Sequence, residues 1–293
     1  MPAAAGVRDG LQYNFICIVT KGNRKYLDGI AALAFGSSDL ADHLIDRSSG
    51  SGILPVTQNR DWRTYDWVVR HNDVVKLIKE RQPHVLFLGD SITHYFGGDP
   101  VAPYRRGEET WQKYYEKRNA LNLGFGWDRT ENLLWRIQHG ELEGVSPKLI
   151  VILIGTNNLE TNTADEIAEG VSLICDEVHR RMPASKVLLL ALIPRSPHPD
   201  ERRVKLAEVN QRIIKLDGRY GLTYLDIGSI FLKPDGSLPV ELMYDFLHPT
   251  WKGYTIFAEA IEPTVARLLG EKPVPPANHA SQPPAPRPSN AHL

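Results

Sequence analysis

From about residue 61 onward the hydrophobic and polar positions fall into a repeated alternation of two patterns. Val85 to Leu88, Leu149 to Ile154 and Val187 to Ile193 are unbroken apolar runs bounded by turn-forming residues, and the shorter Leu222 to Leu225 is interrupted only by Thr223. Runs without polar alternation suit strands covered on both faces, as in a parallel sheet between helices. Between them, apolar residues recur at helical spacing. Trp62 to Glu80 carries Trp67, Val68, Val74, Val75 and Ile78, and Ala164 to Met182 sets Ile167, Val171, Ile174 and Val178 on one stripe before Pro183 stops it. Glu108 to Arg118, Arg129 to Gln138, Glu201 to Leu216 and Trp251 to Leu269 read as helices by the same logic. Strand and helix in turn predict a doubly wound α/β domain over residues 55–270.

The flanks differ. Residues 1–54 mix weak apolar patches with Gly/Ser stretches and predict a poorly structured N-terminal extension; residues 271–293 are rich in Pro, Ala, Ser and Asn and predict a disordered tail. A 42% hydrophobic, 24% charged chain can bury one substantial core. The net charge of −1 and basic residues scattered as pairs, such as Arg105-Arg106, give no stripe for nucleic acid. No apolar run approaches the roughly 18 residues of a membrane span. Phe15 to Val19 is too short for a secretory h-region, so a cytoplasmic location is expected. Cys17 and Cys175 allow one disulfide at most and lack metal-ligand spacing, and the ten histidines form no H-E-x-x-H. No metal or cofactor is expected.

Ligands of open parallel sheets bind at the carboxyl ends of the strands, and polar clusters stand at those ends. Ser91 follows the first apolar run in Gly89-Asp90-Ser91, where Gly89 permits a tight turn; the serine is either a nucleophile or a helix cap. Asn122 to Thr130 contains Gly124-Phe125-Gly126, with Arg129 where a dinucleotide loop would have its third glycine; such a loop can aim amides at an oxyanion. Gly155-Thr156-Asn157-Asn158 offers an asparagine amide to the same end, or a simple turn. Asp245 and His248 stand three apart before Pro249, which restrains His248 to extended backbone and is placed to open the last helix. A carboxylate there can orient the imidazole and leave its other nitrogen free to take a serine proton.

Together these clusters resemble the four blocks of the SGNH (GDSL-type) hydrolases. Within that family the chain is similar to the catalytic subunits of intracellular platelet-activating factor acetylhydrolase and to related bacterial acetylesterases, a placement supported by Trp135-Arg136, Gly140 to Glu143 and Pro147-Lys148. The resemblance covers roughly residues 60–270. It implies a three-layer α/β/α flavodoxin-like fold and ester hydrolysis through an acyl-enzyme. Ser91 is then the nucleophile, His248 the base and later the acid, and Asp245 its orienting partner. The oxyanion hole would use the Ser91 and Trp127 backbone amides and the Asn157 side chain. Asp90, Gly126 and Asn158 are the pocket candidates, with His94, Tyr95, Phe96, Tyr104 and Arg195 as further loop residues. Trp127 departs from the family, which usually has glycine there; its indole is expected to narrow the pocket toward short acyl groups. The substrate expected is a small-molecule ester, most simply an acetyl ester. A silent binding module, a lipase or thioesterase for longer chains, and a homodimer stay open.

Overall fold

Parallel strands in one register carry the chemistry of this chain to one edge. The structure, a computed structural model, describes residues 17–20, 23–26, 51–58 and 65–276. It divides between Ser49 and Gly50 into two units. The first contains an antiparallel hairpin, Cys17–Thr20 with Asn23–Tyr26, in a stretch whose sequence predicts no element. The rest of the expected 1–54 extension lies outside the described residues, apart from residues 51–54, which belong to the second unit and open with a 3-10 turn, Ser51–Ile53. Ile53 is already buried there, so the packed domain begins a few residues before the expected 55.

The second unit holds a five-stranded parallel sheet with flanking helices, a three-layer α/β/α arrangement. Its strands are β1 Val85–Gly89, β2 Ala120–Gly124, β3 Leu149–Leu153, β4 Lys186–Leu190 and β5 Thr223–Leu225. They lie in the order β2-β1-β3-β4-β5, the flavodoxin-like sequence. The order reverses between β1 and β3, which opens a crevice at their carboxyl ends. Gly89 pairs with both Gly124 and Leu153, so the loops after β1, β2 and β3 leave the sheet at one level. β1 and β3 are buried along their whole length, as unbroken apolar runs require.

The helices follow the periodic stripes. They are α1 Trp67–Arg81, α2 Ser91–His94, α3 Glu108–Tyr114, α4 Thr130–Arg136, α5 Ala164–Arg181, α6 Glu201–Ile213 and α7 Trp251–Leu269. Ile167, Val171, Ile174 and Val178 are all buried on α5. Thr163 caps that helix and Glu166 completes a reciprocal capping box. Several elements differ from the periodic reading, three of them instructively. β4 stops at Leu190, since Leu192 turns its amide and carbonyl to the Asn210 side chain. β2, too short and polar to be read as a strand, fills an outer place in the sheet. Pro249 does not open α7: Thr250 caps it through Gly253 N, and the helix starts at Trp251.

The expected tail begins tied down. Glu271 accepts from Arg118 Nε at 2.9 Å, and Val274 N donates to Glu262 at 2.8 Å. Residues 277–293 lie outside the described residues. Among the described residues no helix is long and apolar enough to cross a membrane.

Candidate active site

Ser91 opens α2 directly beyond β1, and two glycines let that short helix lie against the sheet edge. A Cβ on Gly89 would stand 2.2 Å from Thr93 Oγ1 and 2.6 Å from the Leu153 carbonyl oxygen. One on Gly124 would stand 2.2 Å from His94 N. Both approaches are closer than any side chain tolerates, so glycine is required by contact rather than by a positive φ. Asn122 adds a tie, donating to Thr93 O and Gly97 O at 2.7 Å each. Asp90 caps α2 by accepting from Ile92 N at 2.9 Å. It is fully buried, and burial pushes its carboxyl up to about 7. Ser91 itself is buried.

Across the crevice, the loop before α7 brings in His248. Its Nε2 stands 2.8 Å from Ser91 Oγ, and its Nδ1 2.6 Å from Asp245 Oδ2. The other carboxylate oxygen, Oδ1, accepts from His248 N at 2.7 Å and Leu247 N at 3.1 Å. This local turn holds Phe246 at φ 60°, and the Phe246 carbonyl is fixed by Ser196 N. Burial opposes charge on Asp245, but the His248 side chain and these amides outweigh it and hold the carboxyl below its ordinary value. An ionised Asp245 keeps the Nδ1 proton, which leaves the Nε2 lone pair facing the Ser91 hydroxyl.

The loop after β2 carries Trp127 and Asp128. Asp128 accepts from Gln58 Nε2 and Trp67 Nε1 at 2.8 Å each, and from Arg136 Nε at 2.7 Å. Burial raises its carboxyl to about 6, against the pull of the Arg136 charge and the bonds from Trp67 and Arg136. Arg136, wholly buried, also bonds Glu141, whose second oxygen faces His71 Nδ1 at 3.3 Å. Burial disfavours the Arg136 charge, but the two carboxylates prevail and raise its pKa. Trp127, next to Asp128, holds φ 67°, in the region that favours glycine, and is 41% exposed. Asn157, after β3, donates from Nδ2 to the Asp128 carbonyl at 2.9 Å, which leaves that amide's second N–H for another acceptor.

Other candidates fall elsewhere. Asn158 is fully buried and spent on structure: it accepts from Thr130 N and donates to Thr130 Oγ1, Glu131 and Asn162. Phe96 is a core ring stacked on Tyr254 at 4.6 Å. Arg195 bonds Thr156 O and Glu160. Tyr95 does stand beside the histidine, its ring centre 5.2 Å from that of His248. Gly126 and His94 meet in a bond from Gly126 N to His94 Nδ1 at 3.1 Å. The buried partners Gln58 and His71, and the Asp128 bond of Trp67, which reads only as a helix-stripe residue, escape pattern reading, since one polar atom meeting another leaves no periodic trace. Among the described residues no cluster of three metal-ligating side chains forms.

Comparison with known proteins covers most of the domain. Residues 87–256 match the model of the GDSL-like lipase/acylhydrolase family. Platelet-activating factor acetylhydrolase IB subunit alpha2 of Rattus norvegicus is 37% identical over 208 residues, 71% of this chain and 86% of that one. The alpha1 subunit of Homo sapiens is 34% identical over 206 residues, 70% and 85% of the two chains. Among solved structures, a GDSL-like lipase from Bacteroides thetaiotaomicron superposes with a TM-score of 0.54 at 18% identity, over 68% of this chain and 97% of that one. An acetyl xylan esterase does so at 0.52 and 19%, over 62% and 98%.

Proposed function

Since the chain belongs to the GDSL-like lipase/acylhydrolase family and is a carboxylic ester hydrolase, we propose that it is a serine esterase for short acyl groups, acetyl above all. The observation that carries this reading is the line from Asp245 through His248 to Ser91, with gaps of 2.6 and 2.8 Å. His248 Nε2 takes the hydroxyl proton as Ser91 Oγ attacks the ester carbonyl. Asp245 accepts from Nδ1–H throughout and stabilises the imidazolium. The tetrahedral oxyanion is met by the Ser91 N–H, the Trp127 N–H and the second N–H of Asn157 Nδ2. Ser91 N lies in the first turn of α2, where an amide has no partner within its helix. Collapse expels the alcohol with the His248 proton and leaves acyl-Ser91. Water, deprotonated by the same histidine, then releases the acid.

The preference for acetyl rests on two supports. The similar mammalian chains carry the name of acetylhydrolases, and Trp127 puts an exposed indole where the family usually has glycine. Hydrolysis of p-nitrophenyl acetate, butyrate and octanoate by the wild type and by Ser91→Ala, with and without chelator, tests the reading. Turnover of acetate by the wild type alone, indifferent to chelator, is expected. Equal activity in both proteins, or none in either, overturns it.

A further inference from the structure

The Gly126–Trp127 peptide is anchored twice at its carbonyl, and the peptide before it once at its amide. Gly126 O accepts from Gln58 Nε2 at 2.9 Å and from the Tyr65 hydroxyl at 2.9 Å. Gly126 N donates to His94 Nδ1 at 3.1 Å. Two donors occupy both lone pairs of the carbonyl oxygen. The one cis peptide among the described residues is Asp99–Pro100, so this peptide is trans. In a planar trans unit the amide N–H points opposite to the carbonyl of the same unit. Whatever anchors Gly126 O therefore aims Trp127 N–H.

We infer that Tyr65 and Gln58 are positioning residues of the oxyanion hole, holding the Trp127 amide in its donating direction through the Gly126 carbonyl. The inference rests on the serine-esterase reading of the site. Trp127 makes such anchoring necessary. A side-chain-bearing residue at φ 67° is held there only by surroundings that over-determine it. Rotation of the peptide would relieve the strain and turn carbonyl and amide over together. Gln58 opposes that rotation at both ends of the turn, since its Nε2 meets Gly126 O on one side of Trp127 and Asp128 Oδ1 on the other. His94 fixes the preceding unit and stays an acceptor at neutral pH, because burial, with Arg70 and Arg136 nearby, holds its pKa well below the ordinary value. Gly126 leaves room for the anchor: a Cβ there would press within 3.3 Å of the Tyr65 ring.

The test uses the full chain with Tyr65→Phe, Gln58→Leu and the double variant. Each is measured for kcat and KM on p-nitrophenyl acetate, for Tm, and for Ki of a short-chain trifluoromethyl ketone. The hemiketal oxygen formed with Ser91 by that inhibitor reports on the oxyanion site. Loss of a whole oxyanion donor costs about 10²–10³ in kcat, so a loosened one is expected to cost about tenfold. For Tyr65→Phe, KM should stay within about twofold, and Ki should weaken in step with kcat. The double variant should fall further. Unchanged kcat and Ki overturn the inference, as does a lowered Tm with kcat intact, which marks a purely structural bond. If Gln58→Leu does not fold, Tyr65→Phe decides alone, since it removes one oxygen and keeps the ring. Ser91→Ala is run alongside. Should it match the wild type, the serine-esterase reading falls and takes this inference with it; should it be inert while Tyr65→Phe keeps full kcat, only the inference falls.

Discussion

Nε2 of His248 and Oγ of Ser91 stand 2.8 Å apart although 157 positions separate them along the chain. The Asp245 carboxylate in turn meets His248 at both its ring Nδ1 and its backbone amide. An amide in place of that carboxylate could donate to Nδ1 and so favour the wrong tautomer. Asp245→Asn is therefore expected to lower kcat on p-nitrophenyl acetate by about 10²–10⁴-fold with little change in KM. Retention of more than a tenth of the activity would show that His248 does not need this partner.

Asp90 governs a pH dependence of stability. Its folded pKa, raised to about 7 by burial, stands above the ordinary 3.8. The folded state therefore keeps a proton that the unfolded chain gives up, and this contribution is complete below about pH 4. It is lost as pH rises toward 7, over a range worth on the order of a few kcal/mol. Asp90→Asn cannot ionise and can still accept from Ile92 N. Urea unfolding at pH 5 and pH 7.5 should show a fall in wild-type stability that is much smaller in the variant; parallel curves would refute it.

Arg136 lies between two buried carboxylates, Asp128 and Glu141, and its own side chain is fully buried. Removing it leaves both charges without their counter-ion. Arg136→Met is expected to cost about 3–5 kcal/mol in urea unfolding, and to reduce activity through the loop that carries Trp127. A loss below about 1 kcal/mol would mean that water or His71 replaces the guanidinium.

Trp127→Gly tests acyl selection. Removing the indole should raise octanoate turnover relative to acetate, measured as the ratio of kcat/KM values. Glycine also tolerates φ 67° without strain, so no loss of Tm from backbone conflict is expected. An unchanged ratio would mean that Trp127 does not set chain length.

Much of the fold was legible because periodicity reports burial, and burial decides the elements. Val85–Gly89 and Leu149–Leu153 are strands almost where their apolar runs lie, and Trp251–Leu269 matches its predicted helix end to end. Ala120–Gly124 was missed because Asn122 interrupts a short run; in the structure its amide is buried and satisfied by Thr93 and Gly97. Asn158, expected at the pocket, turns its amide toward α4 instead. Adjacent asparagines of equal chemistry cannot be told apart until the loop's course is known.

By itself, the sequence determined the order of most strands and helices, the parallel α/β class and the four polar clusters, since each is written in local spacing and in residue type. Tertiary structure alone decided the distances between those clusters. The common register of β1, β2 and β3 brings three loops to one edge. Buried donors on Gly126 O and Asp128 orient a loop that local sequence leaves free to rotate. Directions of individual hydrogen bonds depend on partners distant in the chain, and no short-range pattern encodes them.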